Sequence, residues 1–467
     1  MALELYNSLS RKTEVFKPLS GGPLGVYTCG PTVYDYVTIG NWRTYTLGDI
    51  VMRALRYNGY DAKYVMNITD VGHLTGDNEG DADTGEDRLE KGAKREGKTA
   101  WDVAEFYAKD FQTGYKMLNL STPDTFCKAT DHIPEQIALV QKLEKNGLVY
   151  KINDGMYFDT TAYEAKGYHY GELSNLDQIK AGARVEFNQE KRNPRDFALW
   201  KFSPTDETRD MEWDSPWGKG FPGWHIECSA MSMKYLGEQF DLHIGGEDLK
   251  STHHPNEIAQ SQGATGHSPF VKYWLHGAFL QVDGGKMGKS KGNAYTLHDL
   301  EARGISPLAL RYFYFSGHYR SPLNFTWEGL ESASHTLRKL QDAYLVLGVP
   351  SNAGSVDEDY KTKFLHTIND DLNMPQALAV VWELIKDDAV SPENKKATLL
   401  DFDTILGFGL ADLKEEVIPE DILSLVSDRE QARLSKDWAK SDELRYKIKE
   451  MGYEVLDTDG GAKVRKI

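Results

Sequence analysis

Cysteine is scarce in this chain, with three among 467 residues, at positions 29, 127 and 228. So few thiols exclude a disulfide framework and fit a reducing cytoplasm, so a cytoplasmic location is expected. No CxxC pair occurs, so local spacing presets no pair of thiolates for a metal. Long apolar runs are also missing, which argues against a membrane span. The amino terminus, Met1-Ala2-Leu3-Glu4-Leu5, is not followed by a cationic segment and an apolar stretch, so no secretory signal is expected. Cations are in deficit: 54 Lys and Arg face 71 Asp and Glu, a formal net charge of −17. That balance argues against a uniformly basic surface but leaves room for local basic patches on nucleic acid. No internal repeat is found. What remains is an ordinary globular composition, at a length that implies three or more domains.

The first stretch with strong pattern is a strand, Gly25-Val26-Tyr27-Thr28, followed by Cys29-Gly30-Pro31 and a run to Asn41. A helix is expected from Tyr45 to Tyr57, with Leu47, Ile50, Val51, Ala54 and Leu55 on one side and Gly59 as its stop. A second strand, Tyr64 to Ile68, ends in Thr69-Asp70. Strand, helix, strand at this spacing is a βαβ unit with a parallel sheet, which puts Cys29 and Thr69 at the carboxyl ends where ligands sit. Residues 75–90 form an acidic stretch. A calcium loop fails there because Ala82 stands where the sharp turn needs glycine, so a solvated insertion is expected. Helices follow at Trp101–Leu118 and Ile133–Asn146, then short strands around Gly155–Phe158. The strand Phe240–Ile244 alternates apolar and polar residues. After Ile305 the chain turns helical, with Leu330, Ala333, Leu337, Leu340, Tyr344 and Leu347 at helical spacing and another helix from Pro375 to Ile385. Asp412 to Val426 reads as an acidic linker.

Several groups carry chemistry, each beside a blander reading. Lys286-Met287-Gly288-Lys289-Ser290-Lys291-Gly292-Asn293 is a cationic loop, either a solvated turn or a clamp for a phosphate leaving group. His253 and Glu257 lie four apart around Pro255, as in a helix-start ion pair. With Cys29 and Cys228 they form a donor set suited to Zn²⁺, yet nothing in the spacing joins them, and inert buried cysteines are the alternative. Gly245-Gly246-Glu247-Asp248 after a strand is either a surface turn or a ribose contact. Trp224 is either a core aromatic or a pocket wall.

Thr38-Ile39-Gly40-Asn41 and the lysine loop together resemble the two signatures of class I aminoacyl-tRNA synthetases, His-Ile-Gly-His and Lys-Met-Ser-Lys-Ser. In detail the chain is similar to the cysteinyl-tRNA synthetases of that class, and Asp370-Asp371-Leu372-Asn373-Met374-Pro375 is close to a signature of those enzymes. The resemblance implies an α/β fold: a Rossmann-like parallel-sheet catalytic domain split by an inserted domain, then an α-helical bundle and a small α+β C-terminal domain. The implied divisions are 1–115 and 216–305 for the two catalytic halves and 116–215 for the insertion. Residues 306–412 would be the stem-contact region and bundle, and 413–467 the anticodon-binding domain. It implies one Zn²⁺ per chain on Cys29, Cys228, His253 and Glu257, selecting cysteine over serine through a thiolate bond. Thr69 and Trp224 would line the amino-acid pocket. Gly40, Gly246, Asp248, Lys286 and Lys289 would hold ATP, supplied with Mg²⁺, and Lys289, Lys286, Thr38 and Asn41 would be catalytic.

The implied activity is an ATP-dependent, AMP-forming cysteine–tRNA ligase, monomeric, with L-cysteine, ATP and tRNA(Cys) as partners and no membrane. Arg433, Lys436, Trp438 and Lys440 offer cations and a stacking face for RNA, though a solvated helix would look the same. The chain departs from the family pattern at Thr38, Asn41, Gly288, Gly72-His73 and Leu249-Lys250-Ser251-Thr252. Two rival readings remain: a noncatalytic tRNA- or zinc-binding paralogue, and an ATP-dependent cysteine ligase acting on a small amine.

Overall fold

The computed structural model describes residues 2–19, 21–72, 74–75, 86–174, 188–204, 209–288, 291–348, 354–414, 418–458 and 461–466. Lys289 with Ser290, and residues 76–85 of the acidic stretch, lie outside the described residues. Contacts divide the chain into two units, Met1–Leu410 and Ala411–Ile467.

The first unit is built on a five-stranded sheet of β1 (Leu24–Thr28), β2 (Ala62–Ile68), β3 (Thr125–Lys128), β4 (Phe240–Gly246) and β5 (Val271–Gly277), in the order β5-β4-β1-β2-β3. Every pairing is parallel. β1 and β4 are buried at every position, as a parallel sheet covered on both faces requires. From β1 the chain builds outward to β2 and β3, then returns to β4 on the other side of β1. The strand order therefore reverses between β1 and β4, and a cleft opens at their carboxyl ends.

The helix between β1 and β2 runs from Ile39 to Tyr57. It begins earlier than the expected start at Tyr45 because Thr38 caps it and Ile39 and Trp42 are buried in its first turn. Its expected apolar face is buried, and Gly59 follows its end at φ 81°.

Between β3 and the return lies a four-stranded antiparallel sheet of Val149–Ile152, Gly155–Phe158, Phe197–Phe202 and Gly220–Pro222. β3 itself, from within the 116–215 range, joins the central sheet, and Gly220–Pro222, from the range of the second half, joins the inserted one. After the central sheet come helices Pro307–Phe315, Trp327–Val346, Glu358–Asn369, Met374–Lys386 and Pro392–Leu406. Leu330, Ala333, Leu337, Leu340 and Tyr344 are buried along the second of these, as their spacing implies. Asp49 on helix Ile39–Tyr57 is buried against Arg311, whose Nη2 lies 2.6 Å from Asp49 Oδ2.

The second unit holds helices Glu420–Leu434 and Trp438–Glu450 and an antiparallel hairpin, Tyr453–Thr458 with Gly461–Lys466. Ile422, Val426, Ile448 and Val455 form its core. Part of the stretch read as a linker is therefore helix: Ile422 and Val426 stand four apart and both point into that core. Among the described residues, no helix is long and apolar enough to cross a membrane.

Candidate active site and metal centre

Cys29 directly follows the last residue of β1, and its N–H donates to the Ile244 carbonyl of β4 at 3.0 Å. The next residue must be glycine, because a Cβ on Gly30 would lie 1.8 Å from the Asn67 carbonyl oxygen. Gly30 N–H instead donates to Asn67 Oδ1 at 2.8 Å, and Asn67 Nδ2 donates to Thr69 Oγ1 at 2.9 Å. The Thr69 hydroxyl donates onward to Glu227 Oε2 at 3.2 Å. Thr69 is thus fixed at the end of β2, beside the cysteine turn.

Helix Trp224–Leu236 brings Cys228 to the same place, and helix His253–Thr265 opens with His253 and Glu257 on one face. Cys29 Sγ lies 3.9 Å from both Cys228 Sγ and Glu257 Oε1, and His253 Nε2 lies 3.0 Å from Glu257 Oε1. The four donor atoms all fall within 4.8 Å of one another, and all four residues are buried. The sulfurs are far from the roughly 2.05 Å of a disulfide. Two thiolates held at about 2.3 Å in a tetrahedral zinc site stand about 3.8 Å apart, so the pair fits that ion. A second donor set shares Cys29 and Glu257 and adds His243 and His254, but only the first contains both thiols.

Electrostatics follow from this crowding. Burial penalises the Glu257 carboxylate, yet His243 and His253 overcome that and hold its pKa down to about 2. Burial likewise opposes charge on His253, but Glu257 and Cys228 raise its pKa to about 10. Burial and the neighbouring Cys228 push the Cys29 thiol up, whereas the hydrogen bond with Cys29 outweighs burial and brings Cys228 down to about 7. The hydrogen bond between the two sulfurs thus eases loss of one proton from the pair and opposes loss of the second.

A shell of histidines surrounds the donors, and sequence reasoning missed it. His225 Nδ1 meets His253 Nδ1 at 2.9 Å and His243 Nε2 meets Glu257 Oε2 at 3.0 Å. His254 runs to His276 at 2.8 Å and then to the Ser8 hydroxyl at 2.8 Å. Such partners orient metal-binding side chains. His243 sat in plain view as a polar position of a buried strand, and His254 adjoins His253, so both carried a signal.

Above the donors lies a cleft of about 190 Å³, lined among others by Cys29, Thr38, Asn41, Trp224, Gly246 and Asp248. The Trp224 ring sits over His253, with centroids 4.4 Å apart. A Cβ on Gly246 would lie 2.3 Å from Asp248 Oδ1, so the glycine lets that carboxylate fold against the strand end. The two signature stretches meet here. A Cβ on Gly40 would touch Met287 Sδ at 3.4 Å, Ile39 N–H donates to the Tyr295 carbonyl at 2.8 Å, and Thr38 pairs with Thr296. Lys286 stands exposed at the end of the strand Gly285–Lys286, and Gly288 N–H closes the loop on Asn293 Oδ1 at 2.8 Å. In the second unit, Arg433 is paired with Asp457 at 2.8 Å and Lys440 with Glu443 at 3.0 Å, while Trp438 is exposed.

Residues 15–335 match the family model of the class I (C) tRNA synthetase catalytic domain. The chain is 48% identical to cysteine–tRNA ligase 1 of Burkholderia lata, over 99% of this chain and 97% of that one. It is 42% identical to cysteine–tRNA ligase of Treponema denticola, over the full length of both. Among solved structures it resembles Mycobacterium tuberculosis methionyl-tRNA synthetase in complex with methionyl-adenylate, at a TM-score of 0.55 and 16% identity, covering 83% of this chain and 90% of that one. At that identity the likeness is one of fold.

Proposed function

This chain belongs to the cysteine–tRNA ligase family of the class I tRNA synthetases, and on that premise we propose that it activates L-cysteine with ATP and attaches it to the 3′ end of tRNA(Cys). The observation that carries the reading is the buried Cys29–Cys228–His253–Glu257 cluster beneath a cleft lined by Thr38 and Asn41, with Met287 of the lysine loop packed against Gly40 of the same stretch.

Cys29, Cys228, His253 and Glu257 would hold one Zn²⁺. When bound, Zn²⁺ supplies a soft Lewis acid that lowers a thiol's pKa and prefers a thiolate to a hydroxyl. A hydrophobic pocket alone separates near-isosteres by only about 1–3 kcal/mol, so a thiol-selective centre is where discrimination against serine would come from. Trp224, over His253, and Thr69, braced by Asn67 and Glu227, would wall the amino-acid pocket.

Gly40, Gly246 and Asp248 would seat ATP, which enters with Mg²⁺, with Asp248 taking a ribose hydroxyl. The cysteine carboxylate oxygen attacks the α-phosphorus, the bond to the bridging oxygen breaks, and pyrophosphate leaves. Asn41, Lys286 and Lys289 would stabilise the charge that develops there, with Thr38 beside them. The terminal tRNA hydroxyl then attacks the acyl carbon and AMP leaves. The bundle within 306–412 would meet the tRNA stem and 413–467 its anticodon, on a cytoplasmic monomer divided as the family resemblance implies.

The test is attachment of cysteine to unfractionated tRNA by zinc-replete protein, with serine as control and Cys228→Ser alongside. Charging with cysteine alone, lost in the variant, is expected. Equal activation of serine would overturn the selection, and no charging at all would overturn the ligase reading.

A further inference from the structure

Position 38 carries threonine where the family signature has histidine, and the structure shows where its hydroxyl goes. Thr38 Oγ1 accepts from the Asn41 backbone N–H at 3.4 Å, which occupies a lone pair and leaves the hydroxyl proton to be donated elsewhere. It donates to Asn41 Oδ1 at 2.7 Å. That bond turns the carboxamide so that its oxygen faces Thr38 and its Nδ2 hydrogens face away. Both residues line the cleft, and among the described residues none accepts from Asn41 Nδ2. They stand at the start of helix Ile39–Tyr57, whose first turn contains no acidic side chain, so the partial positive end of the helix faces a cleft that Asp35 and Asp248 also line.

We infer that Thr38 is a positioning residue for adenylate formation: it locks the Asn41 carboxamide with its donor side toward the ATP phosphates, and Asn41, not Thr38, makes the contact that stabilises the reacting phosphate. An imidazole at position 38 could reach the cleft itself. A threonine hydroxyl, shorter and already committed at both its donor and acceptor sides, acts through its neighbour. A correctly oriented carboxamide needs no reorganisation as charge develops, whereas a free one samples both flips and spends part of its time presenting oxygen to an anion. The inference rests on the ligase reading above and adds a division of labour between the two residues.

The experiment is cysteine-dependent exchange of labelled pyrophosphate into ATP by the full chain loaded with zinc, in wild type, Thr38→Val, Thr38→Ser, Asn41→Ala and the Thr38→Val/Asn41→Ala double variant. Thr38→Val should lower the exchange rate constant about ten-fold with little change in the KM for ATP, as loss of one oriented hydrogen bond implies. Thr38→Ser should recover most of that loss. In the Asn41→Ala background, Thr38→Val should add almost nothing. The valine variant also loses the helix cap, but a rate loss that came from the cap would persist without the carboxamide, so multiplying effects in the double variant would overturn the inference. A serine variant as slow as the valine one would overturn it as well. Should Thr38→Val not fold, Asn41→Asp serves: its carboxylate still accepts from Thr38 but has no donor to offer. It should lose at least as much rate as Asn41→Ala, and retention of full rate would overturn the inference. Absence of exchange in wild type would instead bring down the ligase reading, and this inference with it.

Discussion

Two glycines in the first unit illustrate how differently one residue type can be required. At Gly30 the reason is contact: a methyl group would meet the Asn67 backbone oxygen at 1.8 Å, and a backbone cannot swing aside as a side chain can. At Gly59 it is conformation, since φ is 81° and nothing lies within 4 Å of an added Cβ. Gly30→Ala should therefore lose about 3 kcal/mol, and Gly59→Ala about 1 kcal/mol, in urea unfolding. If Cys29 holds zinc as proposed, Gly30→Ala should also lower the zinc content, because Cys29 precedes it. Cys228→Ser should lower the metal content well below that of wild type in atomic absorption, since one of two thiolates is replaced by a poor ligand. Wild-type metal content in that variant would remove Cys228 from the donor set.

At the scale of elements, helix Ile39–Tyr57 is tied to the helices that follow the sheet through one carboxylate. Asp49 takes Arg53 Nε at 2.8 Å, Ser121 N–H at 2.6 Å and Arg311 Nη2 at 2.6 Å, and Arg311 Nε also donates to the Leu406 carbonyl at 2.6 Å. Burial would raise the Asp49 pKa, but Arg311, Arg53 and Ser121 overcome it and hold the group below its ordinary value. Burial also pulls the Arg311 guanidinium down, yet so basic a group stays protonated, which leaves Asp49 as the partner that titrates. A depressed carboxylate stabilises the fold fully above its unfolded value, about 3.9, and loses that contribution as pH falls through the folded one. Asp49→Asn should cost about 3–5 kcal/mol at neutral pH, because Arg311 would be left buried without its counter-charge. The gap to wild type should close on acidification below about pH 4. A gap independent of pH would mean the loss was one of packing alone.

Legibility at this scale followed periodicity. The apolar spacing of Leu330 to Tyr344 and of Leu47 to Leu55 marked helices that formed. The start of helix Ile39–Tyr57 was hidden because Gly40 and Asn41 are weak helix formers, held there by the Thr38 cap and by contacts with Tyr295 and Thr296. β3 was missed because Thr125–Lys128 is short and carries only a Phe-Cys core. The four donors were legible only through family resemblance: Cys29 and Cys228 are 199 residues apart, and their approach is a product of sheet order, which local pattern does not encode.

For the whole molecule, the division at Leu410 and Ala411 predicts separable behaviour. Residues 411–467 have their own small core, so removing them should leave 1–410 folded. Cysteine-dependent pyrophosphate exchange should then survive while charging of tRNA falls at least ten-fold. Loss of both would show that the first unit depends on the second. Chelation should lower the melting temperature of the full chain and added Zn²⁺ should restore it, because an ion bound only to the native state stabilises it by mass action. The reversal of strand order between β1 and β4 also sets a timetable. Cys29 and Glu257 are 228 residues apart, and the whole inserted sheet lies between them. At about 5–20 residues per second, roughly 10–50 s of synthesis separates the first donor from the last. Until Cys228 is made, Cys29 is the one thiol of the proposed donor set in the nascent chain. A zinc ion held as proposed would be captured only when the second half of the sheet docks on the first, which would make metal uptake a late step in the life of each new chain.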